Sequence, residues 1–127
     1  MICGVGIDMV DVGRIQSLYK RHGQRLLQKV FTDHEIIYCT ARHNIAQHLS
    51  GRFAAKEAVA KALGTGLLNG ISFKDIEVVK HDDGPPGITL HNRAEAMMKS
   101  LEISKIHLSI SHDAGLAIAF VIMESAA

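Results

Sequence analysis

The chain has 127 residues, 47% of them hydrophobic, enough for one compact domain with a real core and too few for two. Fourteen basic residues against thirteen acidic leave a net charge of +1, which excludes the global basicity of a non-specific nucleic-acid binder, so any charge-based recognition has to be local. Cys3 and Cys39 form neither a Cys-x-x-Cys motif nor a disulfide framework, and no apolar run approaches the ~20 residues of a membrane span; a cytoplasmic protein with no membrane and no nucleic-acid partner is expected.

Ile2 to Val10 alternates Val5 and Ile7 with glycines and ends in Asp8-Met9-Val10-Asp11, which predicts a buried strand delivering carboxylates at its carboxyl end. Val12 to about Val30 reads as an amphipathic helix with a break at Gly23. It turns Ile15, Leu18 and Leu27 inward and the basic Arg14, Arg21 and Arg25 outward. Thr32-Asp33-His34-Glu35 matches a capping box, so a helix should begin at Asp33. A further helix follows from about Asn44 to Leu63, with Asn44 and Gln47 spaced to cap it in the same way and Gly64 suited to the left-handed conformation that ends helices.

The most informative stretch lies in that helix, from Gly51-Arg52-Phe53-Ala54-Ala55-Lys56-Glu57 to Lys61-Ala62-Leu63-Gly64-Thr65-Gly66. On the helical wheel Glu57 and Lys61 lie about 40° apart, while Lys56 falls among Leu49, Phe53, Ala60 and Leu63. Two explanations fit. Either Lys56 snorkels to water and Glu57 with Lys61 is a surface pair contributing ~0.2–0.5 kcal/mol, or the helix is largely buried and its charges face a polar site. The alanines at 54, 55, 58 and 62 make the opposite side slim enough for close packing, which favours the second.

Beyond the loop 65–70, Asp75 to Lys80 alternates as a strand, and the stretch from His81 through Pro85-Pro86-Gly87 has to turn. Ile88 to Leu90 returns as a strand, and Asn92 with Glu95 marks the start of a short helix, Arg93 to Leu101. Ile106 to Ser111 and Leu116 to Met123 then form an antiparallel hairpin joined at His112-Asp113-Ala114-Gly115. The order predicts a single α+β domain over residues 1–127, a small antiparallel sheet packed with helices.

Asp8 at a strand end, Glu57 and Lys61 on a helix, and Ser109, Ser111 and His112 near a turn could share one site. Two carboxylates from separate elements suit magnesium, which fills its other positions with water and phosphate oxygens. Lys61 would then offer a point charge to the phosphate, and amides around Gly64-Thr65-Gly66 further donors, although the loop is not a Walker A sequence. Spacing alone leaves three independent structural roles equally open.

The motifs Gly6-Ile7-Asp8-Met9-Val10-Asp11, Phe31-Thr32 with Glu35, Gly51-Arg52-Phe53-Ala54-Ala55-Lys56-Glu57-Ala58 through Gly66, and Leu108-Ser109-Ile110-Ser111-His112 occur in the order of the phosphopantetheinyl transferases. The chain resembles the single-length branch of that family over nearly its whole extent, with no departure at the main motif positions. The resemblance implies transfer of the phosphopantetheine arm of coenzyme A, as co-substrate, to a serine of apo-acyl carrier protein, releasing adenosine 3',5'-bisphosphate in support of fatty acid biosynthesis. It implies catalytic Asp8, Glu57 and Lys61, with Asp8 and Glu57 ligating Mg2+. Arg52, Lys56, Lys61, Gly64, Thr65, Gly66, Pro86, Ser109, Ser111 and His112 are implied to bind coenzyme A, and Arg14, Arg21 and Arg25 to dock the acidic carrier protein. It further implies a homotrimer with active sites between subunits. Two other readings stand beside it: a nonenzymatic module binding an acidic carrier protein or a nucleotide, and a transferase serving carriers of secondary metabolism.

Overall fold

In the computed structural model, which describes residues 1–64, 66, 70–80 and 83–126, the predicted order of elements holds. Strand β1 (Ile2–Asp11) leads into α1 (Val12–His22) and α2 (Gln24–Val30), separated at Gly23, whose φ of 52° interrupts the helix where the sequence places the break. Helices α3 (Asp33–Thr40) and α4 (Ile45–Ala62) follow, then a 3-10 turn at Phe73–Asp75, the short hairpin β2 (Ile76–Val79) and β3 (Gly87–Leu90), helix α5 (Asn92–Ser100), and strands β4 (Ile103–Asp113) and β5 (Leu116–Ser125). The β4–β5 turn takes left-handed backbone at Ala114 and Gly115, the conformation of a tight hairpin.

Strands β1, β5 and β4 form an antiparallel sheet in the order β1-β5-β4, in a register that sets Asp8 opposite Ala119 and Ala119 opposite Ile110. Helix α4 lies on one side of this sheet. Its approach is set by glycine: a Cβ at Gly6 would stand 1.9 Å from the Ala58 carbonyl oxygen, and one at Gly4 would stand 2.4 Å from that of Ala62. Strand backbone and helix backbone therefore touch, which is why the slim alanine side foreseen for the helix is needed.

This contact corrects the reading of β1 as a buried strand. Because Gly4, Gly6, Asp8 and Val10 share the face toward α4, the alternation of a strand puts Val5, Ile7 and Met9 on the other face, where they remain 53, 55 and 61% exposed. Two capping assignments also differ. The Asn44 amide bonds to the Gln47 side chain at 2.7 Å and caps no backbone, and the Asn92 amide donates to Asp75 at 3.1 Å from a residue of positive φ. The capping box at Thr32 and Glu35 forms as predicted.

The opposite side of α4 packs into the main core with Leu27, Phe31, Leu49 and Val59, and Phe53 stacks on Phe73 with ring centroids 5.3 Å apart. Lys56 lies within this core, 0% exposed, and neither snorkels nor remains unpaired. Its ammonium donates to Glu35 Oε1 at 2.7 Å and to the carbonyl oxygens of Phe73 and Ile76. Glu35 accepts in addition from the backbone of Thr32 at 2.9 Å and of Val78 at 2.8 Å. Burial pulls the Lys56 ammonium below its ordinary value while Glu35 works against that shift. One ion pair thus ties the start of α3, the middle of α4 and β2 together. Removing one member of such a buried pair strands the other's charge, which costs about 3–5 kcal/mol. Lys56→Met should accordingly lower the unfolding free energy in urea titration by about that amount. Adding Glu35→Gln should recover part of the loss, since the amide is neutral and its one oxygen still accepts from either Thr32 or Val78.

Candidate active site

The carboxylate of Asp8 is directed at α4 by the same alternation that turns Gly6 against Ala58. Lys61 reaches across from the last turn of α4 and donates to Asp8 Oδ1 and to the Ile7 carbonyl, each at 3.0 Å. This bridge joins an ammonium 52% exposed to a carboxylate 18% exposed, so the pair sits at a surface and its Coulombic contribution is screened. One turn earlier, Glu57 lines the same cleft as Asp8. Burial, and then the neighbouring Asp8 charge, hold the Glu57 carboxyl above the usual carboxylate range, with Lys61 opposing. The surface pair between Glu57 and Lys61 read from the helical wheel is replaced by Lys61 with Asp8.

Two carboxylates from different elements, one of them raised by burial and then by the other's charge, form an incompletely neutralised donor set. Among the described residues no group of three or more His, Cys, Asp or Glu is arranged for a metal. Such a set fits a hard divalent cation that takes one or two carboxylates and completes its shell with water and substrate oxygens. The cleft, of about 340 Å³, runs between β1, α1 and α4. Its walls combine the acidic Asp8 and Glu57 with apolar Ile15, Leu18 and Phe53, and Arg14 stands at its edge. Phe53 was not singled out as a site residue. Its signal was present, since Phe53 and Glu57 are four residues apart on one helix and so share a side. Asp11 also lines the cleft and accepts from the Arg14 backbone at 3.2 Å, fixing where α1 begins.

The other residues of interest are spread more widely. Arg14 and Arg21 on α1 and Arg25 on α2 are exposed, and Arg25 borders a shallow basic groove with His22 and Lys29. Gly64 ends α4 with a φ of 85°, and the N–H groups of Gly64 and Gly66 donate to the Lys61 and Ala60 carbonyls, closing the helix. These two amides are therefore taken up by the helix end; Thr65 lies outside the described residues. Pro86 is half-buried between β2 and β3 and does not line the Asp8–Glu57 cleft. Ser109 and Ser111 are exposed on the outer face of the sheet, level with Phe120 and Ile118, whereas His112 turns inward and its Nε2 lies 3.1 Å from the Gln47 carbonyl. Arg52 is 5% exposed, with its guanidinium 4.1 Å from the centroid of the Tyr38 ring. The expectation that Lys56 binds the nucleotide end of coenzyme A is corrected: three acceptors inside the core occupy its ammonium.

A three-stranded sheet clasped by one alanine-rich helix thus carries Asp8, Glu57 and Lys61 at their junction. The model of the 4'-phosphopantetheinyl transferase superfamily matches residues 4–121, and the chain belongs to this family. It is similar to the holo-[acyl-carrier-protein] synthase of Halothermothrix orenii, at 48% identity over 124 residues covering 98% of each chain. It is also similar to that of Geobacter sp. strain M21, at 44% identity covering 98% of this chain and 99% of the relative. Among solved structures, the holo-[acyl-carrier-protein] synthase of Neisseria meningitidis superposes with a TM-score of 0.88 at 34% identity, covering 98% of this chain and 100% of that one. The Helicobacter pylori synthase, solved in complex with coenzyme A, gives a TM-score of 0.83 at 37% identity over 94% of this chain and 99% of that one.

Proposed function

We propose that this chain is a magnesium-dependent holo-[acyl-carrier-protein] synthase that transfers the phosphopantetheine arm of coenzyme A to a serine hydroxyl of apo-acyl carrier protein, releasing adenosine 3',5'-bisphosphate and supporting fatty acid biosynthesis. The observation that carries the reading is the meeting of Asp8, Glu57 and Lys61 at one cleft mouth beside a basic helix. Asp8 and Glu57 would hold the magnesium ion, which when bound supplies neutralising charge to the pyrophosphate of coenzyme A. Lys61, held by Asp8 and the Ile7 carbonyl, has a half-exposed ammonium placed to neutralise or protonate the leaving phosphate. The apolar wall of Ile15, Leu18 and Phe53 keeps water from one side of the reacting groups. The free thiols of Cys3 and Cys39 are in keeping with a reducing cytoplasm.

The carrier protein is the acidic partner, and exposed Arg14, Arg21 and Arg25 give it a basic landing surface that begins at the rim of the cleft. Further copies of the chain complete the coenzyme site in a homotrimer. Two features support this. Val5, Ile7 and Met9 with Phe120 make an exposed apolar sheet face, and Ser109 and Ser111 stand on that same face. In addition, Arg52 and Glu57 are five residues apart on α4, about 140° around the helix, so one coenzyme reaching both within a single chain would have to wrap around it.

Incubated with apo-carrier protein, coenzyme A and magnesium, the protein should add one phosphopantetheine mass to the carrier, and chelation by EDTA should stop the reaction until magnesium is restored. Asp8→Ala or Glu57→Ala should cut turnover by about 10²–10³-fold while leaving the melting temperature close to wild type, because each removes the repulsion between the two carboxylates and the Asp8–Lys61 bridge lost in the first is solvent-screened. Full activity in either variant overturns the metal assignment. Charge reversal in Arg21→Glu should raise the Michaelis constant for the carrier protein several-fold, leave that for coenzyme A near wild type, and weaken the salt dependence of the reaction; equal effects on both substrates remove α1 as the docking surface. Sedimentation velocity should give a trimer, and Phe120→Glu should release monomers that have lost activity. A fully active monomer refutes the shared site.

A further inference from the structure

Tyr38, on α3, receives two guanidiniums against one ring. The Arg42 Cζ lies 4.0 Å from the ring centroid and the Arg52 Cζ 4.1 Å, while His48 meets the ring edge-on with centroids 5.9 Å apart. The spacing explains the convergence. Tyr38 with Arg42 and His48 with Arg52 are each four residues apart, so each pair lies on one side of its helix or of the turn that continues it.

The cluster carries positive charge, and among the described residues no carboxylate pairs with it. Among the described residues neither arginine makes an ion pair, and the buried Nε of Arg52 has no hydrogen-bond partner. Burial alone would raise the Tyr38 phenol, yet hydrogen bonding and charge from Arg42 and Arg52 outweigh it and hold the phenol below its ordinary value. His48 is held low by burial and then by Arg52, Arg42 and His112, and an imidazole supplies no anion to the arginines in either protonation state. A buried guanidinium without an anion is costly, and an aromatic face offsets part of that cost by attracting the cation.

We propose that Tyr38 is a positioning residue for coenzyme A, its ring holding the guanidiniums of Arg42 and Arg52 in place before the ligand arrives so that they meet the ribose phosphate of the coenzyme as a preformed cradle. The inference rests on the reading that Arg52 faces the nucleotide end. The pyrophosphate belongs with Asp8, Glu57 and Lys61, which leaves the phosphate monoester of the ribose as the remaining multiply charged group. Its terminal oxygens suit the planar fork of a guanidinium.

Steady-state kinetics with coenzyme A and with 3'-dephospho-coenzyme A test the assignment. Tyr38→Leu should raise the Michaelis constant for coenzyme A by about five- to tenfold, leaving turnover, the constant for the carrier protein and the constant for the dephospho analogue close to wild type. Tyr38→Phe, which keeps the ring face, should stay within about twofold. If Arg52→Ala weakens coenzyme A and Tyr38→Leu does not, the clamp is wrong and the nucleotide reading stands. If Arg52→Ala leaves coenzyme A unaffected, the underlying reading has failed. Equal loss with both coenzymes, or loss of turnover alone, marks a structural role and overturns the proposal. A measurement that needs no altered Tyr38 accompanies these: in a Tyr19→Phe background, adding adenosine 3',5'-bisphosphate should move the absorbance titration of Tyr38 upward as the dianion cancels the guanidinium charge, and no movement overturns the cradle.

Discussion

The approach of β1 to α4 governs the geometry of the candidate site. With Gly6 pressed on the Ala58 carbonyl, the strand and helix backbones come closer than any side chain at that position allows, and two residues later Asp8 falls within reach of Lys61. Any Cβ at Gly6 would push the strand outward and open the distance between the carboxylates of Asp8 and Glu57. The chemistry of the cleft is thus set by a steric condition on residues that carry no chemistry themselves. This is a form of preorganisation: interacting groups are placed by packed elements before substrate arrives.

The other side of α4 has to be as firmly held as the first, because a helix able to rock would change the same distances. The Lys56–Glu35 pair supplies that hold. Every proton of the ammonium has an acceptor, and both carboxylate oxygens accept backbone N–H groups, so the pair meets the condition under which buried charge is tolerable. It also relates α3 to α4, and through them Tyr38 to Arg52. The metal-suited cleft and the arginine cluster, on different sides of one helix, therefore share a single anchor.

Much of this was legible in the sequence where the physics is local. The break at Gly23, the capping box at Thr32 and Glu35, the left-handed Gly64 and the β4–β5 hairpin all follow from backbone preferences acting over a few residues. The family motifs added Asp8 to Glu57 and Lys61, which spacing alone left open. What could not be read was pairing across long separations. Lys56 and Glu35 are 21 residues apart, and each had a sufficient local explanation, one as a snorkelling lysine and the other as half of a capping box. The face of β1 was misread for a related reason: alternating glycine and valine looks the same whichever set is inside, and only the nearness of the Ala58 carbonyl decides that the glycines are. Asn44 and Asn92 fit capping patterns yet found side-chain partners instead.

The outer face of the sheet has a consequence for the protein in the cell. In the proposed trimer, where further copies of the chain would cover the exposed Val5, Ile7 and Met9, stability would not be independent of abundance. Each association withdraws partly folded or monomeric chains from the pool, so the folded fraction rises with the rate of synthesis and falls when the chain is scarce. Gene dosage then acts on folding as well as on the quantity of catalyst, and a modest fall in expression removes more working protein than its proportion of chains.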